Sequence, residues 1–125
     1  MRRDARDYTF GDSEANIQLV QGDVRDAPAV AKAILDFNPT HIVHAAAIAG
    51  IDTVGQYPAD TLEINTLGTC YVLQASTKVK NLERVVCFST SEIFGPEADN
   101  VDENSPAVVG AVGEPRWVYA VSKLY

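Results

Sequence analysis

Two apolar stretches, "HIVHAAAIAG" at 41–50 and "ERVVCFST" at 83–90, limit what this chain can become. A short, almost unbroken apolar run marks a strand covered on both faces, as strands of parallel sheets are. Parallel strands need a crossover of a dozen or more residues, usually a helix. The intervening sequence supplies one: a long helix is expected from about Pro58 to Val79, with Leu62, Leu67, Val72 and Leu73 among its apolar positions. An earlier unit has the same form. "NIQLVQGD" (16–23) reads as a short strand ending at a Gly-Asp turn. Asp26 then caps a helix with Pro28 in its first turn, and "APAVAKAILDF" spaces Val30, Ala33, Ile34 and Phe37 helically. Asn38 and Pro39 end it. After a polar loop over 91–115, a last helix opens near Pro115–Trp117. Strands alternating with helices predict part of a doubly wound α/β parallel sheet, which binds ligands at the carboxyl ends of its strands.

Composition narrows the function classes. A length of 125 residues allows one domain, and 46% apolar residues suffice for a core. A net charge of −7 argues against nucleic acid or an anionic membrane as partner. No apolar run reaches the roughly 18–20 residues of a membrane span. Cys70 and Cys87 lack metal-ligand spacing and read as reduced core thiols of a cytoplasmic protein. His41 and His44 frame a strand and read as core or strand-end residues, so no metal site is expected.

The chemistry sits near the end of the chain. Tyr119 and Lys123 are four apart, so a helix projects them from one face. A free phenol has a pKa of about 10 and is a poor base, but a neighbouring cation favours the phenolate. The pair could then take a proton from a substrate hydroxyl. Upstream, "CFSTSEIFG" (87–95) breaks from an apolar strand into Ser89, Thr90, Ser91 and Glu92 at its carboxyl end, where an active site on this fold belongs. Turn capping is the plain alternative for those hydroxyls.

With these residues in order, the sequence resembles the NAD-dependent epimerase/dehydratase family, the extended branch of the short-chain dehydrogenases/reductases. "GDVRD" (22–26) resembles the turn after that family's third strand, and the resemblance implies that Asp23 bonds the adenine amino group with Val24 beside it. "HAAA" (44–47) resembles the element where small residues, here Ala45, Ala46 and Ala47, let the cofactor lie close to the backbone. "INTLGT" (64–69) places Asn65 as a support of the active site. "STSEIFG" (89–95) and "YAVSK" (119–123) match the remaining two elements. The resemblance implies Thr90 as the catalytic hydroxyl and Tyr119 as base. Lys123 would bind the nicotinamide ribose and Ser89 would lie against the cofactor. Ser91 and Glu92 would meet the sugar with Thr90.

The implied first step is oxidation of a nucleotide sugar at carbon 4 with NAD, the same residues leaving NADP open. Decarboxylation of a UDP-uronate follows from Thr90-Ser91-Glu92, which resembles the UDP-glucuronate decarboxylases. 4-Epimerisation and 4,6-dehydration are the alternatives, although dehydratases of the family resemble Thr-Asp-Glu at this triplet. A non-catalytic dinucleotide-binding module is a third. The family's first strand with its glycine-rich turn, and its C-terminal substrate region, have no counterpart among these residues. The chain is therefore expected to be the central part of a single NAD(P)-binding Rossmann-like domain spanning 1–125. A homodimer is expected, with small residues Gly68, Ala75, Ala120 and Ser122 allowing close helix contact. The basic run "RRDARD" (2–7) is expected to be a solvated tail, the alternative being a place near the adenosine.

Overall fold

Helix α1, Ala27–Phe37, begins where the sequence says it should. The Asp26 carboxylate accepts the Ala29 N–H at 3.0 Å, Pro28 occupies the first turn, and Asn38 closes the helix in the left-handed region at φ 50°. The computed structural model describes residues 17–124, so "RRDARD" lies outside the described residues. Strand β1, His41–His44, pairs in parallel with β2, Arg84–Cys87, His41 opposite Arg84 and His44 opposite Cys87. The crossover between them holds α2 (Ile51–Gln56), α3 (Pro58–Leu62), a π-helical turn (Glu63–Leu67) and α4 (Gly68–Ser76). A 3₁₀ turn, Ser91–Phe94, follows β2, and α5 spans Trp117–Ser122. Helix α1 packs on α4, while α5 packs on α3, the π turn and the 3₁₀ turn.

Several expectations change. The stretch 17–22 is not a strand, and Leu19 and Val20 stand exposed. A strand needs a hydrogen-bonded neighbour, and the described sheet has two strands, β1 and β2. Nor are those strands covered on both faces. Alternate residues share a face. His44 is buried and Ile42 and Val85 half-buried on one face, but Val43 and Val86 on the other are 65% and 40% exposed. Cys70 and Cys87 are free, as expected, but exposed rather than in the core. The long helix is interrupted by the π turn, and a short helix, α2, precedes it.

The small residues expected at a dimer contact are used inside the chain. Gly68, Ala75, Ala120 and Ser122 are all buried against its own elements. Gly68 shows why. A Cβ there would come within 2.7 Å of Val24 Cγ2, so the turn ahead of α1 rests directly on the α4 backbone. Arg25 adds a second tie. It pairs with Asp23 at 2.7 Å and reaches Asp60 at 3.7 Å and Glu63 at 3.5 Å, joining that turn to α3 and the π turn.

Gly68→Ala should therefore destabilise the fold. Alanine gains about 1 kcal/mol of helix propensity, but overpacking against a stiff valine costs about 1–3 kcal/mol. The expected net loss is up to about 2 kcal/mol, and adding Val24→Ala should recover most of it in chemical denaturation.

Candidate active site

The site is assembled around Asn65 in the π turn. Asn65 is fully buried. Its Oδ1 accepts the Ile48 N–H at 2.8 Å and its Nδ2 donates to the Ile48 carbonyl at 3.0 Å. The same Nδ2 donates to Ser122 Oγ at 2.9 Å. Ser122 Oγ donates in turn to the Tyr119 carbonyl at 2.8 Å. One amide thus holds the chain leaving β1 and the helix bearing Tyr119 at a fixed separation. A π turn inserts one extra residue into a helix and is frequent at functional sites; here it carries the residue that makes this bracket.

Lys123 follows Ser122 at the end of α5. It is 6% exposed, and among the described residues its ammonium has no hydrogen-bond or ion-pair partner. Burial pushes its pKa down, and the neighbouring Cys87 offsets part of that shift. Its backbone carbonyl accepts the Ser89 hydroxyl at 2.9 Å, which ties the end of β2 to the end of α5. His44, at the carboxyl end of β1, is buried beside it. Burial and then the Lys123 charge push the imidazole pKa down.

Glu92 and Tyr119 line one narrow pocket with Arg116, Gly50, Ile51 and Val54. Its volume of about 20 Å³ admits a single water-sized group. Arg116 lies 4.6 Å from the Trp117 ring centroid, and Trp117 Nε1 donates to Glu114 at 2.8 Å. The guanidinium is therefore held by an aromatic face at the mouth of the pocket.

The expected site residues divide into groups. Glu92 and Tyr119 share the pocket, Ser89 and Lys123 are bonded, and Asn65 reaches Tyr119 through Ser122. Thr90 is a turn cap, its Oγ1 accepting the Glu92 N–H at 3.3 Å, and Ser91 is exposed at the start of the 3₁₀ turn. Ala45, Ala46 and Ala47 form the open backbone after β1. Asp23 and Val24 lie at the foot of α1, outside this cluster, with the Asp23 carboxylate engaged by Arg25. Sequence reasoning passed over Arg25, Arg116 as a pocket residue, and the bonding role of Ser122. The last was visible in principle, since a serine between a tyrosine and a lysine on one short helix faces the packing side.

Parallel strands joined by a helical crossover, with polar side chains gathered at their carboxyl ends, define a ligand-binding α/β protein. The comparisons give the family. The sequence pattern of the NAD dependent epimerase/dehydratase family matches residues 2–125, and the chain belongs to that family. It is 34% identical over 104 residues to a UDP-N-acetyl-alpha-D-glucosaminuronate decarboxylase of Bacillus cytotoxicus, covering 77% of this chain and 32% of that protein. Among solved structures, it resembles a dTDP-glucose 4,6-dehydratase (DesIV) from Streptomyces venezuelae with NAD and TYD bound. The TM-score is 0.73 and the identity 31%, over 90% of this chain and 33% of that one. A UDP-glucose 4-epimerase of Thermus thermophilus in complex with NAD gives a TM-score of 0.68 and 30% identity, over 88% and 35%. The chain spans about a third of the length of these proteins.

The lowered His44 pKa carries a stability consequence. The unfolded chain takes up this proton more readily than the folded one. The contribution of neutral His44 is thus complete above the ordinary value of 6.5 and is lost as pH falls through the lowered folded value. Thermal melts should show a falling midpoint below pH 6.5. His44→Gln should flatten that part of the profile.

Proposed function

We propose that residues 1–125 form the central part of a single NAD(P)-binding Rossmann-like domain. Its enzyme oxidises a nucleotide-linked sugar at carbon 4 and then decarboxylates a UDP-uronate. The observation that carries this reading is the shared pocket of Tyr119, Glu92 and Arg116, with Lys123, 6% exposed and without a side-chain partner among the described residues, one helical turn after Tyr119.

The residues present fit a dinucleotide. A desolvated ammonium with free donors suits the hydroxyls of a nicotinamide ribose. Small side chains at 45–47 leave the backbone after β1 open to close approach, and Ser89 follows the end of the neighbouring β2. Asp23 and Val24 at the foot of α1 would meet the adenine. Bound there, NAD supplies a hydride acceptor.

The chain's own part is proton control and positioning. Tyr119, one helical turn before Lys123, removes the proton from the carbon-4 hydroxyl, and Thr90 holds that oxygen. A ketone at carbon 4 makes a carbon-6 carboxylate a β-keto acid. The bond to carbon dioxide breaks, its electron pair moves to carbon 5 as an enolate, and a proton is returned to that carbon. Glu92, with Ser91 beside it in the chain, would meet the sugar and serve this second stage. A uronate decarboxylase stands among the relatives beside a 4,6-dehydratase and a 4-epimerase, and the triplet Thr90-Ser91-Glu92 is what favours decarboxylation here. A homodimer would cover the exposed Leu62, Leu67 and Leu73 of the crossover helices together with Val121 of α5. Localisation in the cytoplasm agrees with free cysteines and with the lack of a membrane-spanning helix among the described residues.

With NAD and UDP-glucuronate supplied, Tyr119→Phe should lower carbon dioxide release about 10²- to 10⁴-fold while calorimetric NAD affinity is kept. Glu92→Gln should still reduce NAD in a single turnover but release carbon dioxide slowly. Wild-type turnover by Tyr119→Phe contradicts the proposal.

A further inference from the structure

One chain of hydrogen bonds enters Asn65 from Thr69 and leaves it for Ser122, and its first donor is a residue that the proposed reaction does not use. Thr69 Oγ1 donates its only proton to the Asn65 carbonyl at 2.7 Å. The contact of Thr69 Oγ1 with His44 Nε2, at 2.9 Å, can then be made only if the imidazole donates. His44 therefore carries hydrogen on Nε2. The second half of the relay is fixed in the same way. Ser122 Oγ gives its proton to the Tyr119 carbonyl and must accept from Asn65 Nδ2. His44, Thr69, Asn65 and Ser122 are at most 6% exposed, so water does not compete for these groups.

We propose that His44 is a positioning residue for the Tyr119–Lys123 pair. As an Nε2–H donor it pins Thr69 onto the Asn65 carbonyl. This fixes the π turn, and with it the Asn65 amide that holds Ile48 on one side and Ser122 on the other. The strand end that faces the cofactor and the helix that carries the base are set against each other by one relay, His44 to Thr69 to Asn65 to Ser122 to the Tyr119 backbone. The inference rests on the catalytic reading of Tyr119 and Lys123, but the relay is a property of the folded chain and is measured without substrate. Burial of polar side chains in such a relay is costly unless every member is bonded, so loss of one member frees the rest.

Two measurements on the full chain decide it. Nitrogen-15 NMR of the wild-type imidazoles should show His44 with hydrogen on Nε2, and the Nδ1–H tautomer would overturn the proposal without any variant. Carbon-13 NMR of the lysine side chains should then follow the Lys123 titration midpoint in Thr69→Val and Thr69→Ser. Thr69→Val keeps the shape and removes the hydroxyl. It should move the midpoint back toward the ordinary lysine value by on the order of half a unit or more, as the site loosens and admits water. Thr69→Ser should restore it. A Thr69→Val protein that melts lower but keeps the wild-type Lys123 midpoint reduces His44 to a packing role and overturns the proposal. In the turnover assay Thr69→Val should lower kcat about tenfold or more with KM for the sugar nucleotide unchanged. If turnover is absent from the full-length enzyme that carries these residues, the catalytic reading has failed while the two NMR results still judge the relay.

Discussion

The grip of the Asn65 side chain on both backbone groups of Ile48 is the interaction on which the arrangement depends. Residues 45–50 leave β1 as loop, and loop backbone turned toward a core needs partners for its N–H and C=O. Asn65 is one of the few side chains able to supply an acceptor and a donor in one plane. Its second amide hydrogen reaches Ser122. A carboxylate or a hydrocarbon of the same shape would leave at least one of these groups unmet, at about 1–3 kcal/mol each. The bracket needs a buried, outward-turned position within a helix, which the π turn provides.

The balance of the interior makes this bonding decisive. The fully buried large side chains are Val54, Asn65, Thr61, Thr69 and Ser122, and one of the five is apolar. Val72 and Ala75 of α4 and Ala120 and Trp117 of α5 are buried apolar side chains, but apolar burial specifies little about helix register. Polar side chains with fixed directions do specify it. The least compensated group is Lys123, which is 6% exposed and has no counter-ion among the described residues.

The fold was legible where local chemistry decides structure. Asp26, Pro28 and Asn38 set the ends of α1, and the apolar runs located β1 and β2. It was not legible where a partner decides. Leu19 and Val20 have the composition of a strand, but a strand exists only when another lies beside it. The π turn left no trace in apolar spacing because it shifts register by a single residue. Family motifs located Asn65, Tyr119, Lys123 and Glu92, and the geometry gathers them at one end of the sheet. They could not show that Thr90 caps the turn ahead of Glu92, or that Arg25 ties the foot of α1 to Asp60 and Glu63, since those contacts are set by how separate elements meet.

Hydrogen exchange at the Ile48 amide tests this account most directly. In the wild-type chain Ile48 should exchange with the same opening free energy as the Lys123 amide of α5, because one side chain holds both segments. In Asn65→Ala the Ile48 amide should lose that protection and exchange like the exposed loop around it, while amides inside α1 keep theirs. Unchanged protection of Ile48 in a folded Asn65→Ala chain, or independent opening of Ile48 and Lys123 in the wild type, would contradict the claim that Asn65 joins the end of β1 to α5.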